Sequence, residues 1–291
     1  MTVLMLKLIA IFTMLIDHTG AIIYTDNLNL RIIGRLAFPI FAFLIAEGYV
    51  HTRSFGKYMF RMFIFAMISQ IPFYIALAVP GTTFSISMKD LLTYFRYDFN
   101  VMFTFVFALF AIWCYEFIDK YFSSSEYKEK CYASINKVFS VSKFKKNKSK
   151  EISDFIILTL RIIAPILVIF SLCLLAAALN TDYAYYGVLL VFVFYFFKKK
   201  GQKILGFIIV QLIYTVQAFN VVFFMNGGLH INPAYTGRWD YILLMIAPLV
   251  SAIFIYFYNG ELGTKKLKWF FYVFYPVHIL ILYLIKIFFF S

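Results

Sequence analysis

The fold is decided by residues 7–61, KLIAIFTMLIDHTGAIIYTDNLNLRIIGRLAFPIFAFLIAEGYVHTRSFGKYMFR. This stretch reads as two apolar helices that carry ionisable side chains at membrane depth. These side chains are Asp17, His18, Arg31, Arg35 and Glu47. A charged group in hydrocarbon costs about 2.5–3.5 kcal/mol on insertion scales, so such residues indicate a functional site. The alternative is that long basic side chains extend to the membrane interfaces, which accounts for Arg31 but poorly for the short Asp17 and His18.

Composition excludes a soluble domain. The chain has 291 residues, of which 63% are hydrophobic and only 14% are charged, whereas soluble domains have about 25% charged residues. The formal net charge of +13 does not indicate nucleic-acid binding, because most of it lies in short loops and one lysine-rich insert. There it reports topology and contact with anionic lipid. Three cysteines without CxxC spacing predict neither a disulfide framework nor a metal site.

Repeated apolar runs of about 20 residues predict an all-α, polytopic integral membrane bundle with about nine transmembrane helices. The predicted spans are residues 3–23, 32–50, 59–79, 98–118, 153–179, 185–198, 203–224, 240–258 and 269–290. The basic loops 51–61, 120–150, 198–203 and 265–268 then all fall on one side. The positive-inside rule places that side and the N-terminus in the cytoplasm, and the C-terminus outside. We expect this topology in the inner (cytoplasmic) membrane.

The lysine-rich insert divides one membrane domain into two parts. Residues 1–120 form a four-helix part with the candidate catalytic residues, 121–150 form the cytoplasmic insert, and 151–291 form a five-helix part. The insert is predicted to be a hairpin or amphipathic segment on anionic headgroups, with a flexible linker as the alternative. No internal repeat is visible in the sequence, which argues against the inverted-repeat plan of transporters.

The first two spans supply the candidate catalytic groups. His18 is the side chain best suited to accept and return a proton near neutral pH. Asp17 points about 100° away from it on a helix, so it should face Arg31 or Arg35, which share one face of the next span. Guanidinium groups in a dry site stabilise developing negative charge. The structural alternatives are that His18 bonds a helix carbonyl and that Arg35 only pairs with Asp17.

A second set of residues is predicted to bind a donor molecule. Basic side chains near the cytoplasmic end could meet its phosphates, although they satisfy the positive-inside rule equally well and Arg161 could extend to the interface. His278 lies in the last span beyond a proline and is the other intramembrane histidine candidate. The predicted donor-binding residues are Arg31, Glu47, His51, Arg53, Arg61, Arg161 and His278.

Several stretches resemble the TraX family of membrane acyltransferases. The best of them are LKLIAIFTMLIDHTGAIIY at residues 6–24 and LRIIGRLAFPIFAFLIAEGYVHTRSFGKYMFRMFIFAMISQIPF at residues 30–73. Further similarity lies in NVMFTFVFALFAI at 100–112, DYAYYGVLLVFVFYFF at 182–197 and YNGELGTKKLKWFFYVFYPVHILILYLI at 258–285. The resemblance covers most of both halves and leaves out chiefly the insert. TraX acetylates the N-terminus of a conjugative pilin. The family is also distantly similar to the wider group of transmembrane acyltransferases of the heparan-glucosaminide acetyltransferase type.

The resemblance implies a reaction class and a site. In the wider group a histidine in an early span is the catalytic base or acyl carrier, and arginines help to hold the donor. Carried onto this chain, it implies that His18 is catalytic with Asp17 and Arg35 beside it. The donor substrate is then cytoplasmic acetyl-CoA, no metal is needed, and the acceptor is a peptide amine or a glycan. Family membership does not fix that acceptor.

Two other function classes stay open. A proton-coupled small-molecule transporter would line its path with the same ionisable residues. A non-catalytic scaffold would use them only to hold helices together. The missing repeat weighs against the transporter, and the clustering of histidine with arginine weighs against the scaffold. We therefore expect a membrane-embedded acetyltransferase that uses acetyl-CoA.

Overall fold

The computed structural model describes residues 1–78, 98–138, 143–225, 239–261 and 267–290. Within these ranges the secondary structure is helical. The helices are α1 Val3–Ile22, α2 Leu28–Gly34, α3 Ala37–Val50, α4 Phe55–Phe73, α5 Val101–Ser123, α6 Ser125–Val138, α7 Lys143–Ala178, α8 Ala184–Phe196, α9 Lys200–Met225, α10 Trp239–Ile246, α11 Ser251–Tyr256 and α12 Lys268–Phe289. A π-helical turn, Tyr74–Ala78, follows α4, and a 3₁₀ turn, Ala247–Val250, joins α10 to α11.

The prediction of a polytopic helical membrane protein is confirmed. In the described part of the chain, seven helical segments are long and apolar enough to cross a membrane. They are Val3–Ile22, Leu28–Val50, Phe55–Leu77, Val101–Ser123, Lys148–Ala178, Trp239–Tyr256 and Trp269–Phe289. The other two predicted spans coincide with α8, which has only 13 residues, and with α9. Each of the nine predicted spans therefore coincides with helix.

Two predicted spans are interrupted, and proline explains both interruptions. The second span begins at Leu28 rather than at residue 32 and breaks at residues 35 and 36, between α2 and α3. A proline ring clashes with the carbonyl four residues earlier, so Pro39 disfavours helix through Arg35. Pro248 similarly coincides with the 3₁₀ turn inside the eighth span. Arg35 stands at this break, as the residue that follows the last helical residue of α2.

The basic insert is helical. Helix α6 packs against α7, and Ser149 Oγ lies 2.6 Å from Asn136 Oδ1 across this hairpin. Helix α7 then continues for 36 residues from the insert into the fifth span. The described part of the insert is thus helical, and its first helix packs against the start of α7.

The two parts of the chain share one core. Helix α3 packs against α1, α8 and α5, while α12 packs against α1 and α4. Phe43, Ile40 and Phe194 are fully or almost fully buried there. The first and last helices are therefore neighbours, which brings residues from opposite ends of the chain together.

Glycines allow α1 and α2 to approach closely. A Cβ placed on Gly34 would lie 2.5 Å from the Asp17 Cα atom, and one on Gly20 would lie 2.8 Å from the Leu30 Cβ atom. Small residues at such crossings let helix backbones come together in a membrane. The absence of a side chain at Gly34 is therefore a condition for the position of Asp17.

We predict that Gly34→Ala destabilises the protein, because the added methyl overlaps the Asp17 backbone. Overpacking of this kind costs about 1–3 kcal/mol. Thermal unfolding in detergent, followed by circular dichroism, measures the effect. Gly56→Ala is the matched control, since a Cβ there meets no heavy atom within 4 Å. Equal melting temperatures for the two variants would contradict the close α1–α2 contact.

Candidate active site

Two histidines from opposite ends of the chain meet in the bundle interior. His18 Nδ1 on α1 is 2.6 Å from His278 Nε2 on α12, and both rings are buried. The ring centroids are 4.9 Å apart and the ring planes differ by 9°. With so short a distance between the nitrogens, the rings lie edge to edge in nearly one plane. This is the geometry of a hydrogen bond between imidazoles and not of a ring stack.

The backbone assigns the tautomers of the two neutral rings. His278 Nδ1 is 2.7 Å from the Phe274 carbonyl oxygen, which can only accept, so Nδ1 carries the proton. His278 Nε2 is then an acceptor, and His18 Nδ1 must donate to it. The remaining nitrogen of His18, Nε2, is left with a lone pair. No group in the described part of the chain hydrogen-bonds it. His18 is thus oriented as a proton acceptor.

Asp17 is held by the first arginine of α2. Arg31 Nη1 donates to Asp17 Oδ2 at 3.0 Å and to the Asp17 carbonyl at 3.4 Å. Of the two arginines that the sequence offers as partners, Arg31 makes the hydrogen bond, whereas Arg35 acts on Asp17 only through its charge. The second carboxylate oxygen, Oδ1, is buried without a hydrogen bond in the described part of the chain. Asp17 consequently ties α1 to α2 and leaves one acceptor open.

Arg35 is bound from the opposite direction. Its Nη1 donates to the Tyr183 hydroxyl at 3.1 Å, and the Tyr183 ring stacks on Phe38 with centroids 3.6 Å apart. Tyr183 has a positive φ of 64°, an uncommon backbone conformation that is found mostly where surrounding structure fixes it. The loop between α7 and α8 therefore presents this tyrosine to the guanidinium.

Asp182 in the same loop adds a second carboxyl group near Arg35. Its backbone N–H donates to the Phe99 carbonyl at 2.8 Å, which fixes the loop against the start of α5. Burial away from water raises the pKa of Asp182 to about 6, although the nearby Arg35 opposes this shift. Neither Asp182 nor Tyr183 was predicted as a site residue. The only signal for them was that DYAYYG opens one of the stretches that resemble the TraX family.

These polar groups line one cavity of about 270 Å³. Its polar lining consists of Asp17, His18, Arg31, Arg35, Asp182, Tyr183 and Tyr275. The predicted catalytic residues are thus brought together, and the loop before α8 completes the enclosure. In the described part of the chain no three His, Cys, Asp or Glu side chains converge as metal ligands.

A second cavity of about 310 Å³ adjoins the first. Its basic lining residues are Lys7, His51 and Arg61. Five residues line both cavities: Met14, Phe41, Val101, Phe105 and Tyr275. Lys7 and His18 are eleven positions apart on α1, which corresponds to about 16 Å along the helix axis. The two cavities together therefore extend from the basic end at Lys7, His51 and Arg61 to His18.

Tyr275 lies where the cavities meet. Its ring centroid is 6.3 Å from that of His18 and 5.9 Å from that of His278. The hydroxyl is buried and has no acceptor for its proton in the described part of the chain, although the Val101 N–H lies near its oxygen. It is available to donate to a molecule in this space. Tyr275 was not predicted as a site residue, although it lies three residues before His278 in the same segment.

The predicted donor-binding residues divide into three groups. His51 and Arg61 line the second cavity, whereas Arg31 and His278 belong to the polar site around His18. Glu47 lines neither of the two cavities; its carboxylate lies 2.5 Å from Lys203 Nζ and 3.7 Å from His51 Nε2. Arg53 is exposed and lines neither cavity. Arg161 pairs with Asp119 at 2.6 Å and also lies outside both cavities.

Comparison with known proteins places the chain in a family. The model of the TraX protein family matches residues 3–286. The chain belongs to the TraX family. It is 27% identical over 292 residues to the probable fimbrial assembly protein FimC, serogroup H1, of Dichelobacter nodosus, covering 97% of this chain and 95% of that relative. It is also 36% identical over 67 residues to the uncharacterized protein RP591 of Rickettsia prowazekii (strain Madrid E), covering 23% of this chain and 25% of that protein. No solved structure matches the chain.

We predict that Arg31→Gln strongly destabilises the protein, since it leaves the Asp17 carboxylate buried without its partner. Removal of one member of a buried ion pair costs about 3–5 kcal/mol. Asp17→Asn combined with Arg31→Gln should recover most of this loss. Chemical denaturation in detergent micelles measures all three variants.

The Asp119–Arg161 pair provides the matched control. Its side chains are 39% and 43% exposed, compared with 11% and 24% for Asp17 and Arg31. Exposed ion pairs contribute little to the free energy of unfolding. Arg161→Gln should therefore change stability far less than Arg31→Gln. Similar losses from both arginine variants would show that the Asp17–Arg31 contact is not a buried pair.

Proposed function

We propose that this TraX-family protein is a membrane acyltransferase that moves an acetyl group from acetyl-CoA to an amine or hydroxyl acceptor. The observation that carries the proposal is the oriented His18 Nε2 lone pair in a polar cavity that adjoins a second, basic-ended cavity. The matching family and the name of the fimbrial assembly relative support a pilin-related role. The acceptor that we favour is therefore an amine of a pilin-like peptide, with a glycan as the alternative.

The donor enters at the basic end in this proposal. Lys7, His51 and Arg61 surround the second cavity and supply the positive charge that phosphate groups require. The pantetheine arm of acetyl-CoA is long and thin, so it can extend past Met14 and Phe41 toward the junction. There the thioester meets the polar cavity. Arg53 and Arg161 take no part in this route, which revises the set of donor contacts predicted from sequence.

His18 acts as general base at the junction. The acceptor nitrogen or oxygen attacks the thioester carbonyl carbon while its proton passes to His18 Nε2. The resulting tetrahedral species carries its negative charge on the former carbonyl oxygen. The C–S bond then breaks, the acetyl group stays on the acceptor, and the CoA thiolate takes the proton back from Nε2. General-base catalysis of this kind contributes a factor of about 10²–10⁴.

The charges that develop in this reaction have partners in the site. When Nε2 gains a proton, the bond from His18 Nδ1 to His278 Nε2 becomes charge-assisted and stronger. The Tyr275 hydroxyl and the Arg35 guanidinium are the donors proposed for the oxyanion. Hydrogen-bond donors that are already in place in a water-excluded site make the largest contribution to the rate enhancement of many acyl transfers.

A proton-coupled transporter is the second candidate, and the two adjoining cavities are the observation that favours it. A transporter needs a path through the bundle with titratable groups along it. It does not need a thioester, so release of free CoA separates the two functions. Uptake of a small molecule into proteoliposomes without any CoA release would favour the transporter.

His18→Gln should lower the kcat for acetyl transfer by a factor of about 10²–10⁴, because glutamine cannot accept a proton in this role. His51→Gln is the matched control in the second cavity and should raise the KM for acetyl-CoA while changing kcat little. The assay follows release of free CoA thiol by full-length protein in nanodiscs with a pilin-derived peptide as acceptor.

A CoA-binding measurement and the melting temperature show whether each variant is folded. His278→Gln should fall between the other two variants, since its side-chain oxygen can still accept from His18 Nδ1. Full turnover by His18→Gln would place the base elsewhere, and Asp182 would be tested next. Absence of CoA binding by folded wild-type protein would overturn the proposal itself.

The orientation that this route requires gives a further prediction. Single cysteines at Thr25 and Ser125 should react with impermeant maleimide from opposite sides, in a variant that lacks Cys114, Cys131 and Cys173. Thr25 lies in the loop between α1 and α2, and Ser125 opens α6 in the basic insert. We expect Ser125→Cys to react from the cytoplasm and Thr25→Cys from outside. Labelling of both from one side would contradict the topology.

A further inference from the structure

A third cavity lies at the N-terminal end of α9 and shares no lining residue with the two described above. Its volume is about 310 Å³. It is lined by Phe43, Glu47, Lys198, Lys200, Lys203, Ile255, Tyr258, Asn259 and Gly260. Three of these residues are lysines and one is a glutamate, so the cavity carries a surplus of positive charge.

The lysine ammonium groups are positioned by the protein but retain free donors. Lys198 Nζ donates to the Tyr195 carbonyl at 3.1 Å, and Lys200 Nζ donates to the Tyr258 carbonyl at 2.8 Å. Lys203 Nζ is paired with Glu47 at 2.5 Å. An ammonium group has three N–H donors. Lys198 and Lys200 each use one of them in a hydrogen bond to a carbonyl, and their charge is not neutralised by a carboxylate there.

The start of α9 adds backbone donors to this cavity. The helix has 26 residues and begins at Lys200, and the first N–H groups of a helix have no acceptor within the helix. In the described part of the chain no side chain caps the N–H groups of residues 200, 201 and 202. The end of the helix also carries partial positive charge. The space around Gly201 at this helix end is open, because a Cβ there would meet no heavy atom within 4 Å.

A buried hydroxyl in the cavity lining points to a ligand independently of the charges. Tyr258 is only 7% exposed, and its ring packs edge-on against Phe43 with centroids 5.3 Å apart. Its hydroxyl is buried and has no hydrogen-bond partner in the described part of the chain. A buried hydroxyl without a partner is unfavourable. A ligand oxygen in the adjoining cavity would pair with it.

We propose that this cavity binds a phosphate group through Lys198, Lys200, the first N–H groups of α9 and the Tyr258 hydroxyl. Phosphate fits because its several oxygens can accept from donors that converge from different elements, and its negative charge matches the excess of lysines over Glu47. The phosphate can belong to the headgroup of an anionic phospholipid or to a soluble phosphate ester. This site lies outside the His18 cavity and does not depend on acyl transfer.

The experiment uses full-length protein in phosphatidylcholine nanodiscs and has two arms. In the first, phosphatidylglycerol is added to the nanodiscs and the lipid retained by the protein is quantified by native mass spectrometry. In the second, adenosine 3′,5′-bisphosphate is titrated by calorimetry into nanodiscs of phosphatidylcholine alone. The variants are Tyr258→Phe, the double change Lys198→Gln with Lys200→Gln, and Lys199→Gln as control. Lys199 carries the same charge in the same loop but does not line the cavity.

We expect Tyr258→Phe and the double lysine variant each to weaken binding about tenfold. This is the effect expected when at least one charge-assisted hydrogen bond to the phosphate is lost. Lys199→Gln should bind as wild type does. Loss confined to phosphatidylglycerol would identify a lipid headgroup, and loss confined to the bisphosphate would identify a soluble ester. Tyr258→Phe keeps the ring against Phe43, so an unchanged melting temperature shows that it is folded.

Two results would overturn the proposal. One is that neither ligand binds to the folded wild-type protein. The other is that binding is the same in wild type, Tyr258→Phe and the double lysine variant, which would place the ligand elsewhere, for example at His51 and Arg61 in the second cavity. Neither result bears on acetyl transfer, which is measured separately by CoA release.

Discussion

The ion pair between Asp17 and Arg31 is the contact on which the site depends. It forms where Gly34 allows α2 to lie against α1, and it fixes the rotation of α1 about its axis. Successive residues on a helix point about 100° apart, so when Asp17 faces α2 the next residue cannot. His18 is thereby directed toward α12, where it meets His278. The charged pair thus positions a neutral catalytic candidate that it does not touch.

Periodicity and hydropathy were sufficient to predict where the apolar spans lie but not where those spans are interrupted. Apolar runs predicted the spans, because length and composition suffice for that inference, but they gave no signal for the polar helix α6. The break before α3 depends on the steric effect of Pro39 on the carbonyl of Arg35, which hydropathy does not register. The short loop before α8 was predicted only as a connection, and the positive φ of Tyr183, whose ring stacks on Phe38, was not predicted.

The candidate site was predicted in part for a related reason. Asp17, His18 and Arg35 stand out because ionisable groups are rare in apolar helices. Their partners do not stand out in the same way. His278 was predicted to bind the donor, yet it bonds His18 across 260 positions of sequence, which no local pattern encodes. Arg161 and Arg61 were both predicted to bind the donor near the cytoplasmic end of the bundle. Arg161 instead pairs with Asp119 and lies outside the cavities.

The relay behind His18 differs from the arrangement in which a carboxylate orients a histidine. One oxygen of the adjacent Asp17 carboxylate accepts from Arg31, and the group that accepts the hydrogen bond from His18 Nδ1 is a neutral imidazole. That imidazole is itself oriented by the Phe274 carbonyl, four residues earlier on its own helix. The tautomer of His18 is therefore set by a helix backbone. In the proposed reaction His18 gains a proton at Nε2, and the positive charge would strengthen the hydrogen bond that orients its ring.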